Sequence, residues 1–557
     1  MLNGQRQPMY RSILLSCVLL VLSIMLYGYG RPLYDNFSYA SLPALQHLYP
    51  ENFKNDPLFD ENADRYPVYT FILEQIYRTY HEEIFFFVIF LLAKFFLFLG
   101  MLRMASLVLP ENILIPMSGI LLFPGFEMNL QFSGPVLAAT MIEPRTVSAG
   151  FFYLGFVFLL ESKRTWGAVF LGLASMIHPH FAFLALPMLI LSEIIFAYKN
   201  KKLSGKNFIS PVIFLVLASP NIINSLAISP VLFSNTSLIK EIYVDTIAPY
   251  HFDPKYFLPL RGPIFLIALI PLFFYKKIEM EKYQKILWYS VLCFITFGTI
   301  VTIVFTSVYF RPWSIFVWYG GHSQIIWMTS FLFTISLITK NWKTFGIVKK
   351  IIIVAVIYAS SLIPFLGIFL GLLAHLMEII IKNYSYRKLA PQFFSLITLI
   401  TLSPFLTDGY SQFNVLRRFD KRNLNIPRDL YTYIKNSTSI DSNFLAPPVG
   451  FDALRSVAMR SVVVDAKIHH SGKYLETWKE RLIDVAGDGT AKLLTPLMVS
   501  TNEFYLKKPP NKILELAAKY NADHFITGSS YKNIFSNDKH FNLIYSDNDY
   551  ALYAIKP

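Results

Sequence analysis

The sequence has few charged residues and almost no cysteine. Asp, Glu, Lys and Arg make up only 15% of its 557 residues, whereas 54% are hydrophobic and 16% are aromatic. Soluble proteins carry about a quarter of their residues as charged side chains, so this composition excludes an ordinary soluble globular protein. Cys17 and Cys293, the two cysteines, both lie in apolar runs. Two such residues cannot form a disulfide framework or a thiolate metal site.

Long apolar runs fill most of residues 1–410. A run of about 20 apolar residues crosses a lipid bilayer as a helix, so we predict a polytopic α-helical membrane protein with about 11–13 transmembrane helices. The predicted spans are 12–30, 84–105, 112–124, 147–161, 166–177, 181–198, 208–224, 258–275, 286–307, 323–339, 349–364, 366–382 and 391–407.

Basic residues cluster in every second short loop between these spans. Arg11 precedes the first span, Lys163 follows the fourth, Lys201 the sixth, Lys276 the eighth and Lys343 the tenth. The positive-inside rule assigns such loops to the cytoplasm, so we predict a cytoplasmic N-terminus. The net charge of +14 is therefore a topology signal, and no nucleic-acid partner is expected.

The composition after residue 410 is that of an ordinary globular domain. Predicted strands at FLAPP (444–448), SVVVDAK (461–467) and HFITG (524–528) alternate with predicted helices at 473–484 and 511–520. The ending FNLIYSDNDYALYAI is typical of two strands around a Ser-Asp-Asn-Asp turn. We therefore predict a transmembrane domain at 1–410 and a soluble extracytoplasmic α/β domain at 411–557.

The predicted first outer loop, residues 31–82, carries two candidate acids. Asp35 stands among aromatic residues in LYDNFSYA, where burial would raise its pKa and improve it as a base. The plain alternative is a solvated loop aspartate. Asp56 lies in FKNDPLF; Asn-Asp-Pro is a common turn initiator, so Asp56 is the second-ranked candidate for a substrate contact.

Glu143-Pro144-Arg145 opens the fourth predicted span. Proline in the first turn and a nearby acid are typical of a helix start. A cation is unfavourable there unless it faces an anion such as phosphate, which a helix N-terminus also attracts. We therefore take Glu143 and Arg145 as candidate substrate-binding residues.

Three histidines are predicted to lie on the same outer side. His178 and His180 bracket a proline in ASMIHPHFAFLAL, at the tip of a predicted hairpin between two spans, and His251 lies in TIAPYHFDPKYF. Imidazole can bind an anion at the membrane boundary, or the first two can simply hydrogen-bond backbone carbonyls. His178 and His180 are separated by one proline and need not share a face, so a two-histidine metal site is not expected.

These segments together resemble the GT-C superfamily of membrane glycosyltransferases, and an uncharacterised bacterial family related to it. The residues that carry the resemblance are YDNFSYASLPALQHLYPENFKNDPLF, IEPRTVSAGFFYLGFVFLLESKRTWGAVFLGLASMIHPHF, IAPYHFDPKYF and FLAPPVGFDALRSVAMRSVVVDAK. The resemblance spans nearly the whole chain, although no single motif in it is diagnostic.

The resemblance implies transfer of a sugar from a polyprenyl-phosphate donor to an acceptor at the extracytoplasmic face of a bacterial inner membrane, in the cell envelope. It gives Asp35 the role of catalytic base, with Glu143, Arg145, His178, His180, His251 and Asp56 binding substrate. No cofactor is certain, the need for a divalent metal stays open, and the acceptor is unknown. Membrane lipid is the other expected partner.

Two alternatives belong to other functional classes. A transporter or flippase places polar groups near the bilayer midplane on repeated halves, whereas here they gather toward one face and no internal repeat is evident. A non-catalytic envelope-polymer assembly protein is the other alternative, since a fold can persist without its activity.

Overall fold

A computed structural model describes the architecture of most of the chain. The described residues are 9–27, 36–56, 58, 64, 66–79, 82–109, 144–201, 205–232, 236–242, 280–307, 309–311, 325–326, 328–329, 332–333, 336, 427–448, 450–451, 453–465, 472–487 and 505–556. The predicted spans 112–124, 258–275, 349–364, 366–382 and 391–407 lie outside them, and only parts of 323–339 are included.

The described residues before 310 are almost entirely helical. The helices are α1 (Met9–Tyr27), α2 (Asn36–Leu48), α3 (Pro67–Tyr77), α4 (Glu82–Ser106), α5 (Pro144–Leu160), α6 (Arg164–Ile177), α7 (His180–Asn200), α8 (Ile209–Leu232), α9 (Thr236–Ile239) and α10 (Lys282–Ser307). Short 3-10 turns occupy Pro50–Phe53 and Gly205–Phe208.

Four of the described helices, α4, α7, α8 and α10, contain segments long and apolar enough to cross a membrane, and α1, α5 and α6 are shorter apolar helices. Each of these seven helices coincides with a predicted span, so the helical membrane architecture predicted for these segments is confirmed. α8 continues to Leu232, beyond the predicted end at residue 224, because the chain stays largely apolar through Leu226 and Ile228.

Glycines allow α4 and α5 to approach each other closely. A Cβ atom on Gly150 would lie 2.9 Å from the backbone nitrogen of Leu97 and 3.0 Å from the carbonyl oxygen of Ala93. A Cβ on Gly100 would lie 2.7 Å from the Cβ of Tyr153. Small residues at such crossings bring helix backbones together and increase van der Waals contact between them.

One end of the bundle is closed by buried and partly buried ion pairs. Arg103, near the end of α4, pairs with Glu161, which follows α5, and Lys163 Nζ lies 2.7 Å from the other oxygen of Glu161. Arg164, which begins α6, pairs with Glu193 of α7. The ends of α4, α5 and α7 and the start of α6 therefore meet at this end, which we call the basic end.

The C-terminal part is an α/β domain. Its elements are α11 (Arg428–Ser437), β1 (Asn443–Leu445), a π turn (Leu454–Ala458), β2 (Ser461–Val462), α12 (Gly472–Ala486), α13 (Pro510–Tyr520), β3 (His524–Gly528), α14 (Lys532–Ser536), β4 (Phe541–Ser546) and β5 (Tyr550–Ile555). The sheet has the order β2-β1-β3-β5-β4, with β1 parallel to both of its neighbours and β5 antiparallel to both of its own.

Local sequence explains much of this sheet. Asp547 accepts hydrogen bonds from the backbone N–H groups of Asp549 (2.8 Å) and Tyr550 (2.7 Å), which closes the β4–β5 turn in the way expected of aspartate. The prediction of two strands around this turn is confirmed. The buried Tyr505 hydroxyl lies 2.8 Å from the Leu445 carbonyl oxygen and 3.0 Å from the Ile526 carbonyl oxygen, and it can donate a hydrogen bond to either. This one side chain therefore joins β1 to β3.

The domain rests on the end of the bundle opposite the basic end. Leu42 of α2, Leu58 and Ile239 of α9 belong to the same buried apolar cluster as Val463 and Trp478 of the domain. Phe310, just after α10, packs against this cluster as well. We call this the domain end of the bundle.

Gly150→Ala tests the α4–α5 crossing. The new methyl group meets backbone atoms that cannot rotate away, so we expect a loss of about 1–3 kcal/mol of stability, a range typical of overpacking. Thermal unfolding of the protein in detergent measures it. Gly205→Ala is the matched control, because a Cβ there has no neighbour within 4 Å; equal melting temperatures for both variants would contradict the prediction.

Candidate functional site

The turn between α6 and α7 places two histidines at the domain end. His178 ends α6 in an extended conformation, with φ −135° and ψ 110°, as is usual before a proline. Its ring centroid lies 4.8 Å from that of His180 and 5.2 Å from that of Tyr66. His178 is buried and His180 is half-buried. The predicted hairpin tip is confirmed, and Tyr66 is an unpredicted member of the cluster.

One face of α8 holds this turn and the first loop in place. Asn221 donates from Nδ2 to the carbonyl oxygens of Ser175 (2.8 Å) and Met176 (2.7 Å), which lack partners within their own helix end. Asn224 lies three residues later on the same face and donates to the carbonyl oxygen of Asp64 at 2.6 Å. The end of α6 and Asp64 are thus bound to adjacent positions of one helix.

Asp64 is a half-buried carboxylate at the domain end, two residues before Tyr66. Its Oδ1 accepts the backbone N–H of Tyr66 at 2.8 Å, the residue whose ring faces His178. Burial raises the pKa of Asp64, and this outweighs the lowering by the Tyr66 hydrogen bond and by the nearby His47. His47 Nδ1 itself lies 2.6 Å from a carboxylate oxygen of Glu74.

Sequence reasoning missed Asp64, and little in the sequence could have identified it. Asp-Arg-Tyr-Pro at residues 64–67 predicts a helix start, since aspartate and proline are both common there. That pattern carries no sign that residue 64 is bound to Asn224, from a segment more than a hundred residues away, or that its carboxylate becomes half-buried.

Arg145 belongs to the same end of the bundle. It is the second residue of α5 and is half-buried. Val147, two residues further, packs against a buried cluster that contains Leu73 of α3 and Ile177 of α6. Tyr66 packs against this cluster too. The start of α5 therefore lies at the domain end, together with Asp64 and the histidine turn.

Three of the predicted site residues, Asp35, Glu143 and His251, lie outside the described residues. Asp35 immediately precedes α2 and Glu143 immediately precedes α5 in the sequence. Their roles, and that of His251, stay predictions.

Asp56 has a different setting from the other candidates. Its Oδ2 accepts from Arg455 Nε at 2.6 Å and from the Val462 N–H at 3.1 Å, and its Oδ1 accepts from the Leu58 N–H at 3.0 Å and from Arg455 Nη2 at 3.2 Å. A carboxylate offers about four acceptor positions, and the protein's own donors occupy them. The Asp56 side chain joins the first loop to the C-terminal domain, and because its oxygens already accept these hydrogen bonds we propose no substrate contact for it.

The ionisable groups at the domain end can bind an anionic ligand and can accept a proton from a hydroxyl group of a second ligand. Guanidinium and imidazole groups can stabilise phosphate, and a carboxylate of raised pKa can take up a proton. Within the ranges that the structure describes, no group of three His, Cys, Asp or Glu side chains could hold a metal ion, and we assign no metal ligands.

Two solved structures are similar to this chain over most of its length. ArnT from Cupriavidus metallidurans, bound to undecaprenyl phosphate, aligns with a TM-score of 0.46 and 11% identity over 98% of this chain and 97% of its own. The archaeal oligosaccharyltransferase AglB from Archaeoglobus fulgidus, in complex with an inhibitory peptide and a dolichol-phosphate, aligns with a TM-score of 0.42 and 11% identity over 93% of this chain and 69% of its own. No family model and no curated protein sequence matches the chain.

Proposed function

We propose that this protein is a membrane glycosyltransferase of the GT-C type that transfers a sugar from a polyprenyl-phosphate donor to an acceptor. The observation that carries the proposal is the convergence of Asp64, the His178–His180 turn and the start of α5 with Arg145 at one end of an apolar helix bundle, next to the C-terminal domain. This is the arrangement that a lipid-linked phosphate sugar requires, because its tail lies among helices while its head group reacts in water.

The positive residues at the basic end of the bundle support an extracytoplasmic location of the site at the other end. The basic end carries Arg103, Lys163 and Arg164, and positive residues mark the cytoplasmic side of membrane proteins. The domain end would then face the extracytoplasmic compartment, with the N-terminus in the cytoplasm. A bacterial inner membrane is the location that the sequence resemblance implies.

The helix surfaces offer room for a lipid chain. Val216, Ile223 and Leu226 of α8 are each more than 60% exposed, although α8 also carries the asparagines that hold the site. Apolar side chains exposed on a membrane helix contact acyl or isoprenoid chains. We propose that the donor tail lies along such a surface with its phosphate toward the domain end.

The transfer we propose is a single displacement. The acceptor hydroxyl oxygen forms a bond to the anomeric carbon as the bond from that carbon to the phosphate oxygen breaks, and the bonding pair leaves with the polyprenyl phosphate. A carboxylate takes the hydroxyl proton. Arg145, His178, His180 and His251 stabilise the charge that develops on the departing phosphate, with Glu143 as a further substrate contact. Such stabilisation is usually the largest contribution to catalysis.

Two carboxylates are candidates for the base. The sequence resemblance gives this role to Asp35, and the geometry adds Asp64, which is half-buried at the same end of the bundle as the histidine turn and has a raised pKa. A general base works best when its pKa approaches the working pH. Substitution of each by asparagine separates them.

The first prediction from the proposed function concerns Asp35 and Arg145, and it is tested with purified protein in nanodiscs and candidate polyprenyl-phosphate sugars. We expect Asp35→Asn to bind donor normally and to lose about 100-fold or more in turnover, a loss typical of removing a general base. Arg145→Ala should weaken donor binding about tenfold or more, the size of a lost charge-assisted hydrogen bond. Undecaprenyl- and dolichyl-phosphate sugars are the first donors to test.

Matched controls for these variants lie away from the domain end or on the domain surface. Asp549→Asn changes an exposed carboxylate in the β4–β5 turn, and Arg11→Ala changes an exposed guanidinium at the start of α1; both should keep wild-type transfer. Full turnover by Asp35→Asn removes its assignment as base. Donor movement across the bilayer without cleavage of the sugar–phosphate bond would favour a flippase instead.

The second prediction concerns pH. A base must be deprotonated, so activity falls as the pH drops through its pKa, and a raised pKa moves that fall above the usual aspartate value of 3.8. If Asp64 is the base, wild-type kcat declines on the acidic side at a pH above that value, and Asp64→Asn loses turnover at every pH. If Asp64→Asn keeps a near-normal kcat and the same decline of kcat at low pH as wild type, Asp35 remains as the candidate base.

A further inference from the structure

The chain between α2 and α3 is docked into the C-terminal domain by its own side chains. Asn52 donates from Nδ2 to the Met459 carbonyl oxygen at 3.0 Å, and Asn55 donates likewise to the Asp441 carbonyl oxygen at 3.0 Å. In return, the Ser461 hydroxyl donates to the carbonyl oxygen of Asn52 at 3.2 Å. These contacts fix the loop against the end of the π turn, the start of β2 and the turn before β1.

A buried charge triad lies at the centre of this contact. Arg455, on the π turn, binds the Asp56 carboxylate through two nitrogens and pairs on its other side with Asp465. All three residues are at most 1% exposed. Charges buried in this way are costly unless they are paired with good geometry, so this contact tolerates little displacement between loop and domain.

Helix α2 contacts both the C-terminal domain and the helices that carry the candidate site. Leu42 belongs to the apolar core shared with the domain, whereas Ala44 belongs to the cluster formed with Leu73 of α3 and Ile177, the residue before His178. Residues two apart on a helix point to nearly opposite sides. α2 is therefore a layer between the domain and the bundle, with one face against each.

We propose that the C-terminal domain is a positioning element for the candidate site and that Arg455 acts through Asp56 to hold residues 36–56, which include α2, in a fixed position. This inference rests on the proposed function. In the sequence, Asp35 immediately precedes α2 and Asp64 follows Asp56 by eight residues, so both candidate bases are close in the chain to the residues that bind the domain. The bidentate contact between arginine and carboxylate fixes orientation as well as distance, which apolar packing alone does not do.

The test uses full-length protein in nanodiscs and two kinds of loosening. Arg455→Lys keeps the charge and loses the fork, and Arg455→Gln loses both. The pair Asn52→Ala with Asn55→Ala removes two docking hydrogen bonds without leaving a buried charge unpaired, so it keeps the test valid if the Arg455 variants unfold. Asn533→Ala, on the exposed surface of α14, is the matched control.

Hydrogen exchange gives a readout that does not depend on activity. We expect amides of α2 and α3 to exchange about fivefold or more faster in the loosened variants, with β3 and β5 as protected as in wild type, because local opening is separable from global unfolding. The control should match wild type. Unchanged exchange in α2 and α3, or exchange that rises there only together with the sheet, would overturn the positioning role.

Kinetics separates positioning from simple stability. With the donor on which wild-type protein is active, we expect kcat to fall about tenfold or more in Arg455→Gln, as misplacement of a reacting group does, while the donor KM changes less than about twofold. Arg455→Lys should recover part of that kcat. A rise in donor KM at constant kcat contradicts the proposal. If wild-type protein transfers no sugar, the proposed function fails, and with it the catalytic meaning of the docking.

Discussion

The buried contact between Asp56 and Arg455 is the constraint on which the relation between membrane part and domain depends. It joins residues 399 positions apart in the chain. Both carboxylate oxygens of Asp56 are occupied by donors from Arg455 and the backbone, so the cost of burying the charge is offset only in one arrangement. A loop bound in that way cannot slide along the domain surface. The position of the domain and the position of the loop residues around Asp56 therefore depend on each other.

The packing of the helix bundle is the second constraint on the structure. Glycines let α4 and α5 approach to backbone contact, and buried ion pairs close the basic end. At the domain end, Asn221 and Asn224 of α8 bind the end of α6 and Asp64. Polar groups in an apolar setting form strong, directional contacts because few alternatives compete for them. The result is a bundle whose basic end is closed by ion pairs and whose domain end carries Asp64, Arg145 and the histidine pair.

That division of polarity suits chemistry at a membrane surface. Phosphate and imidazolium are poorly tolerated in hydrocarbon, so groups that handle a phosphate must lie where water reaches them. The histidine turn, Asp64 and the start of α5 share such an end, and α2 separates them from the domain core while contacting both. The lipid-linked substrate that we propose has the same division between an apolar and a polar part.

By itself the sequence determined the elements. The spans predicted at 84–105 and 181–198 correspond to α4 and α7, and β3, β4 and β5 form where β-like runs and the Ser-Asp-Asn-Asp turn predict them, because hydrophobic periodicity and turn preference are local properties. β1 and β2 also lie at predicted strands but end earlier, at Leu445 and Val462. Tertiary structure alone decided which polar residues meet. Asp56 looked like a turn residue and became the partner of Arg455, and Asp64 was not singled out at all. Such contacts join segments distant in the chain, and whether a carboxylate is solvated or buried depends on how those segments pack.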